Sequence, residues 1–168
     1  MQYLKISIGI FLALAASRFI PHPPNFTSLL ALSFYVPALL GVRYIPALVL
    51  SFLITDIFIG FHSTFLFTWG SVVVIGLFAR RFNETILRRI SGALIGAVIF
   101  FIISNFGVWA FSPMYAKTLT GFVQCYSLAL PFYGTSLMGD LVYSTILFGA
   151  YQLVFSKNPN FLISQNKT

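Results

Sequence analysis

The sequence predicts an all-α integral membrane protein, a compact bundle of about six transmembrane helices. Of its 168 residues, 58% are hydrophobic and only 8% are charged, which is too little polar material to cover a water-soluble globule of this size. The apolar residues form long runs bounded by Pro, Gly or charge, close to the roughly 20 residues that cross a bilayer. The 20 Phe, 8 Tyr and 2 Trp residues suit helices that end in aromatic belts.

The first apolar run, residues 3–20, ends at the stretch Pro21-His22-Pro23-Pro24-Asn25, which the interior of a helix does not tolerate. Lys5 followed by an apolar run and the string Ala13-Leu14-Ala15 also resembles a secretory signal with a cleavage site. Because the run continues through Ile20 and the rest of the chain is as hydrophobic, a retained first helix is the simpler interpretation.

Five further spans are predicted from the same kinds of boundary, at residues 26–40, 44–59, 64–78, 91–111 and 134–155. Residues 80–89 carry two Arg pairs and are predicted as an amphipathic turn in the headgroup layer. Residues 121–130 predict a short apolar helix that ends before Pro131 and is either re-entrant or interfacial. Residues 1–155 then form a single transmembrane domain, and residues 156–168 form a polar cytoplasmic tail.

The basic residues predict the orientation of the bundle. With six spans both termini share a side, and the positive-inside rule places the Arg-rich loop before the fifth span in the cytoplasm. Only Arg18 and Lys117, of ten Lys and Arg residues, then lie outside. This distribution explains the net charge of +7 without a nucleic-acid partner. We expect a multi-pass protein of the cell membrane, in contact with the lipid bilayer, with both termini cytoplasmic.

Unusual polar residues concentrate at the outer ends of the spans. An ionisable group at membrane depth costs about 2.5–3.5 kcal/mol, so Asp56 and Asp140 need partners or water and are the best site markers. The predicted substrate-binding residues are His22, Asn25, Asp56, His62, Asn105, Trp109, Tyr115 and Asp140. The two aspartates would hydrogen-bond polar ligand groups, and Asn105 would orient them. Trp109 and Tyr115 would cover an apolar face of the ligand.

These residues also have a structural interpretation. Either aspartate could pair with Arg18 or Lys117 and merely lock helices together. Asn105 could equally join helices through its amide, and the two aromatic residues could be interfacial anchors. Loop histidines usually have no chemical role.

Catalysis finds little support in the sequence. There is no Ser-His-Asp order, nucleophile elbow, His-Glu-x-x-His helix or phosphate-binding Gly-rich loop, and the chain holds three acids and two histidines. We therefore predict a protein that is not an enzyme, with no catalytic residues, no metal site and no cofactor. A membrane enzyme built on Asp56 and His62 is the third hypothesis. Cys125, the single cysteine, is interpreted as a small buried hydrophobe or as a soft metal ligand.

Small residues mark two helix faces. Gly9, Ala13 and Ala16 lie along one face of the first predicted helix, where they allow the close approach of another helix. We predict that these three residues dock a partner, although the same pattern serves internal packing. Gly92 and Gly96 repeat the pattern in the fifth span.

Several motifs occur in a fixed order along nearly the whole chain. They are RFxPHPPNFT from Arg18, TDxxxGFH from Thr55, SNFxVW from Ser104, CYxxALPF from Cys125 and GDL from Gly139. In this order they resemble an uncharacterised family of small bacterial integral membrane proteins described as transport proteins. The resemblance implies a location in the bacterial inner membrane and a role in transport.

The layout also resembles the substrate-binding S-components of energy-coupling-factor vitamin transporters, which have six helices and bind micronutrients between outward-facing loops. This resemblance implies a small-molecule substrate and a separate energising transmembrane subunit, against which Gly9, Ala13 and Ala16 would dock. Some solitary members of that class handle cobalamin with a cysteine near the cobalt. Cys125 is therefore a candidate ligand contact, and cobalamin is one of several candidate vitamins or precursors.

Together these observations predict uptake of a small, ring-containing nutrient that binds from the outer face. The alternative is a non-transporting membrane scaffold or assembly protein whose small-residue helix faces recruit a partner.

Overall fold

The computed structural model describes residues 2–82 and 84–155. This part of the chain forms six α-helices and no strand, which confirms the predicted all-α class. The helices are α1 (Gln2–Phe19), α2 (Leu29–Leu40), α3 (Ile45–Ile59), α4 (Phe65–Ala79), α5 (Ile86–Phe111) and α6 (Leu119–Phe155). Two short 3-10 turns, Val42–Tyr44 and Arg80–Phe82, lie before α3 and after α4.

Consecutive helices run in opposite directions, so the loops gather at two ends of the bundle. The Ser17 and Ser28 hydroxyls meet at 2.7 Å at one end, and the Tyr3 hydroxyl donates to the Arg43 carbonyl at 3.1 Å at the other. We call the second end, with loops 41–44 and 80–85, the basic end because Arg residues concentrate there. The first end, with loops 20–28, 60–64 and 112–118, carries both histidines and is called the histidine end.

Helix α2 is the centre of the bundle. Its 12 residues extend about 18 Å, less than the roughly 30 Å hydrocarbon core of a bilayer. Every residue from Leu30 to Ala38 is buried. Helices α4, α5 and α6 pack around it, which suits a helix that is apolar on all sides.

The core has two clusters of buried side chains, and α2 contributes to both. The first joins α1, α2, α3 and α4 through Ile10, Leu14, Leu32, Val36, Tyr44, Leu48, Phe52 and Val72. The second joins α2, α4 and α5, with α6 packed against it, through Leu30, Phe34, Tyr35, Ala38, Ile75, Ala79, Ala93 and Ala97. The two clusters hold the six helices as one body around α2.

Glycines let α5 approach its neighbours closely. A Cβ atom at Gly92 would lie 2.6 Å from the Phe34 ring, and one at Gly107 would lie 2.4 Å from Cγ of Phe67. At Gly96 the nearest atom would be Cγ2 of Ile75, at 3.2 Å. The small residues of this span therefore serve packing inside the bundle.

The predicted break before Pro131 is wrong. Residues 121–130 and the predicted last span are parts of one continuous helix, α6, with Pro131 inside it. Membrane-type helices tolerate proline where nearby side chains and small backbone adjustments satisfy the freed backbone groups. Here Pro131 is exposed, so its ring displaces no neighbouring helix.

Helix α5 begins earlier than predicted, at Ile86. The Thr85 hydroxyl accepts a hydrogen bond from the Arg88 amide at 3.2 Å and caps the helix. Arg88 and Arg89, predicted in a separate interfacial turn, therefore belong to the first turn of α5.

The surface has the character of a membrane protein. Three helical stretches are long and apolar enough to cross a bilayer: Val42–Ile59, Phe65–Phe82 and Ile86–Phe111. Large apolar side chains point outward, among them Phe58 and Leu119, which are 76% and 79% exposed. Such a surface suits contact with lipid. The predicted tail, 156–168, lies outside the described residues.

A candidate binding cavity at the histidine end

Polar side chains enclose a cavity at the histidine end, with two adjoining lobes of about 360 and 270 Å³. The lobes share the lining residues Asn25, Leu30, His62, Thr68, Phe100 and Ser136. Each of the six helices contributes at least one lining residue. We call this space the polar cavity.

The structure brings four of the predicted binding residues to this cavity. His22 lines the first lobe, Asn105 lines the second, and Asn25 and His62 line both. They come from two loops and from α5, which are distant in sequence. The other four predicted residues line neither lobe.

The proline-rich loop between α1 and α2 positions His22 and Asn25. The Phe26 amide bonds to the Pro23 carbonyl at 3.0 Å, and Nδ1 of His22 lies 2.7 Å from the Ile20 carbonyl. Asn25 has a positive φ of 63°, a conformation that Asn tolerates better than most residues. These local contacts set the loop across the mouth of the first lobe.

Helix α6 packs against the backbone of the same loop at Gly139. A Cβ atom at Gly139 would lie 3.2 Å from Cα of Phe26 and 3.3 Å from the Thr27 amide nitrogen. These distances are tighter than nearly all real contacts of a Cβ atom, so glycine favours this close approach of the helix to the loop backbone. Gly139 thus lets the loop that carries His22 and Asn25 rest on α6.

His62 is held by the first turn of α4. Its Nε2 lies 3.1 Å from the Thr68 hydroxyl, and Thr68 lines both lobes. His62 is exposed, as expected for a residue at the mouth of the cavity. Either side chain can exchange this hydrogen bond for one to a ligand.

Asp56 lies behind the cavity wall and pairs with Arg18. Nη2 of Arg18 lies 2.6 Å from Oδ1 of Asp56, whose side chain is 2% exposed, and Nε1 of Trp69 donates to Oδ2 at 2.8 Å. The Arg18 guanidinium also donates to the Thr55 hydroxyl and lies over the Phe52 ring. This network joins α1, α3 and α4 and neutralises the one Arg that lines the cavity.

Asn105 stands beside an aromatic wall. Its amide nitrogen donates to the Phe101 carbonyl at 2.8 Å, and its backbone carbonyl lies 3.5 Å from Sγ of Cys125. The Phe101 ring packs against Tyr133 at 4.8 Å and against Tyr126 at 5.6 Å. Cys125 is buried behind this wall and lines neither lobe.

Trp109 and Tyr115 do not line the polar cavity. Nε1 of Trp109 donates to the Ala116 carbonyl at 3.1 Å, and its ring meets Phe122 edge-on at 5.3 Å. The Lys117 ammonium donates to the Trp109 carbonyl and to the Ser112 carbonyl. Trp109 and Lys117 thus hold the loop between α5 and α6, and Tyr115 lies half-buried in that loop.

Asp140 lines a different cavity, toward the basic end. Its carboxylate accepts a hydrogen bond from the Ser144 hydroxyl at 3.2 Å. The catalytic pair considered from sequence is not formed either, because Asp56 bonds to Arg18 and Trp69 while His62 bonds to Thr68. Among the described residues, no group of three or more His, Cys, Asp or Glu side chains could hold a metal ion.

The structure adds cavity residues that sequence reasoning missed. They are Arg18, Thr27, Thr64, Thr68, Phe100, Phe101, Ser104, Tyr133 and Ser136. The sequence offers only a weak indication of these cavity residues. Polar residues lie one helical turn apart inside apolar segments, as in the pairs Thr64 and Thr68 or Ser136 and Asp140. Hydroxyl residues also bond to the preceding turn of their own helix, as Ser104 and Ser136 do, so their presence alone does not predict a site.

The predicted docking residues lie on an apolar groove and beside it. Gly9 and Ala13 line a groove of about 560 Å³ between α1 and α6, floored by α2. Nothing lies within 4 Å of a Cβ atom built at Gly9. Ala16 is exposed farther along α1 and does not line the groove.

The fold and the polar cavity define a class: a helical bundle with a lipid-compatible surface and a polar cavity at one end. Comparison with known families assigns the chain more narrowly. It belongs to DUF6580, a family of unknown function, whose model matches residues 2–161. No curated protein and no solved structure matches the chain.

Proposed function

We propose that this protein binds a small, uncharged polar nutrient in the polar cavity and carries it across the cell membrane without changing it chemically. The observation that supports this most strongly is the cavity itself, to which all six helices contribute hydrogen-bonding or apolar groups. Its lobes, together with the apolar residues between the polar ones, match the usual size and lining of small-molecule sites.

The charges and rings of the lining suggest the class of ligand. Arg18 is the one Lys or Arg of the lining, and Asp56 neutralises it at 2.6 Å. The remaining polar groups are hydroxyl, carboxamide and imidazole groups, which serve as both donors and acceptors. Phe100, Phe101 and Tyr133 add aromatic faces to the second lobe. A neutral heterocycle, such as a vitamin or its precursor, fits this combination.

The first experiment identifies the ligand. Protein purified in mild detergent is examined by native mass spectrometry, then denatured, and the released small molecules are identified. We expect one stoichiometric polar compound, recovered unchanged. A protein that carries only lipid would contradict the binding proposal.

A matched pair of variants then locates the site. Thr68→Val removes a hydroxyl that lines both lobes, whereas Thr135→Val removes one on α6 that lines neither. Loss of one ligand hydrogen bond weakens binding by about tenfold, so we expect Thr68→Val to raise the Kd of the identified compound to that extent. Thr135→Val should leave the Kd unchanged. Equal losses in both variants would place the ligand outside the polar cavity.

The second candidate function is a scaffold that recruits a partner helix, and the groove between α1 and α6 favours it. Gly9 and Ala13 would allow a transmembrane helix of a partner, such as an energising subunit, to approach closely. Gly9→Phe extends a ring into the groove from a position where nothing lies within 4 Å of the Cβ atom. Leu12→Phe, on α1 but outside the groove, is the control.

This second function predicts a stoichiometric protein partner in native mass spectra of the wild type and of Leu12→Phe, and its loss from Gly9→Phe. Retention of the partner by Gly9→Phe would exclude the groove as the docking surface.

A further inference from the structure

A second cavity of about 390 Å³ lies between α5 and α6, against α2 and toward the basic end. Apolar side chains form most of its wall, and the polar lining residues are Tyr35, Arg89, Asp140, Ser144 and Thr145. None of these residues lines the polar cavity. The two cavities are therefore separate spaces within one bundle.

The carboxyl group of Asp140 is the chemically distinctive group of this second cavity. Asp140 is 2% exposed, and the Ser144 hydroxyl donates to its Oδ1 at 3.2 Å. Among residues 2–82 and 84–155, the ion pairs join Arg18 to Asp56 and Arg88 to Glu84. Asp140 is thus a buried carboxyl group without an ion-pair partner in this part of the chain.

The charged and titratable groups around Asp140 come from all three helices packed at this point. Tyr35 faces it from α2, Arg89 from α5 and Tyr133 from α6. The Arg89 guanidinium lies 5.1 Å from the centre of the Phe148 ring, at the edge of the cavity. A carboxyl group in such apolar surroundings is held more easily in the protonated form than as an unpaired anion.

Asp140 also lies at the boundary between the two cavities. Ser136, one turn earlier on α6, lines both lobes of the polar cavity, and residues four apart lie on the same helix face. Ser144, one turn later, lines the second cavity. A proton on Asp140 is therefore close to a ligand in the polar cavity and accessible from the basic end.

We propose that Asp140 is a proton-binding site, open toward the basic end through the second cavity, whose protonation is coupled to ligand movement. The step is a simple exchange, in which the carboxylate takes up one proton to form the acid and later releases it. This inference rests on the proposed uptake function and extends it, because it identifies a proton gradient as the energy source.

The test observes the carboxyl group directly. Purified protein in lipid nanodiscs is acidified stepwise, and infrared difference spectra are recorded in the carbonyl region of protonated carboxylic acids. The exposed carboxyl group of Glu84 also titrates, so the comparison is made in a Glu84→Gln background. There we expect a titrating component that is lost from folded Asp140→Asn. In Ser144→Ala the band should shift in frequency, because its hydrogen-bond donor is gone. Thr145→Val, which removes a hydroxyl of the same cavity that bonds to the Leu141 carbonyl, should leave the band in place.

Two results would overturn the proposal. One is a titration spectrum that is unchanged by Asp140→Asn, and the other is the absence of any titrating carboxylic-acid band before that substitution. If Asp140→Asn fails to fold, an unshifted band in Ser144→Ala decides against Asp140. None of these spectra requires a substrate, so failure of the proton site leaves the binding test at Thr68 intact, and failure of ligand binding leaves the titration intact.

Discussion

Asp56 and Asp140 are both buried at about 2% exposure, yet their surroundings differ. Asp56 has the Arg18 guanidinium at 2.6 Å and the Trp69 indole at 2.8 Å. Asp140 has a serine hydroxyl at 3.2 Å. The first arrangement pairs the carboxylate with a cation, whereas the second gives the carboxyl group only a neutral hydrogen-bond donor. The same residue type therefore serves structure in one place and, in our proposal, function in the other.

At this residue scale, Asp56→Asn should destabilise the fold strongly. The substitution leaves the Arg18 charge without its buried partner, and breaking such a pair costs about 3–5 kcal/mol. Chemical unfolding of the detergent-solubilised variant measures this loss. Glu84→Gln is the control, because it breaks an exposed ion pair with Arg88 and should cost about 0.5 kcal/mol or less. Equal stability of the two variants would show that the Arg18–Asp56 pair does not hold the helices together.

Trp109 contacts its own loop and not the polar cavity. Its position near the outer end of a span was predicted, with a role in covering a ligand or anchoring the interface. The structure gives the ring a contact with Phe122 and its Nε1 a bond to the Ala116 carbonyl. Trp109 therefore holds its own loop in place, and its predicted contact with a ligand stays a prediction.

At the scale of helices, close approach decides which glycines matter. Gly107 faces Phe67 across the contact between α5 and α4, whereas nothing lies within 4 Å of a Cβ atom at Gly9. From sequence, the small residues of α1 and of α5 both predict the close approach of another helix. Their packing differs because α5 is enclosed by neighbours at its glycines, while Gly9 of α1 faces an open groove.

This difference predicts opposite effects of the same substitution. Gly107→Ala should lower the free energy of unfolding by about 1–3 kcal/mol, because the added methyl group would collide with the Phe67 ring. Gly9→Ala should leave stability unchanged or raise it by up to about 1 kcal/mol, since alanine favours the helix. Thermal unfolding of both variants in one detergent gives the comparison. A stable Gly107→Ala would mean that α4 and α5 can separate at little cost.

Helix α6 continues through Pro131, where the sequence predicts a helix boundary. Its 37 residues extend about 55 Å, and the sequence divides them at Pro131 into two apolar pieces. The helix continues because Pro131 lies on an exposed surface, where the missing backbone donor affects no helix contact. One long helix thus joins the α5–α6 loop, the polar cavity and the second cavity.

For the whole molecule, the distribution of charge predicts orientation. Arg80, Arg81, Arg88 and Arg89 lie at the basic end, and the positive-inside rule places that end in the cytoplasm. Six crossings of the membrane are the simplest arrangement of the six antiparallel helices. Both statements are predictions that depend on the bilayer as well as on the fold.

Cysteine labelling tests this orientation. In a Cys125→Ala background, Met114→Cys and Glu84→Cys each place one exposed thiol in a loop, at the histidine end and the basic end respectively. A membrane-impermeant maleimide should label Met114→Cys in spheroplasts and Glu84→Cys only after permeabilisation. The reverse pattern would mean that the basic end faces outward. Labelling of both thiols in intact spheroplasts would mean that α5, which lies between the two positions, does not cross the membrane.

The sequence by itself determined the all-α membrane class, most helix positions and the two ends of the bundle. These properties follow from composition, from the length of apolar runs and from Pro and Gly boundaries, all of which are local. Polar groups at the ends of apolar segments also led to His22, Asn25, His62 and Asn105, four of the eight predicted residues, which line the polar cavity.

Only the tertiary structure decided which polar residues share a space. The rotation of each helix about its axis and the packing around α2 place Thr68, Ser136 and Phe101 beside the predicted residues. The same packing directs Asp56 to Arg18 and Asp140 to a separate cavity. Contacts between residues far apart in sequence depend on the shapes of several helices together, and no local pattern in one helix contains that information.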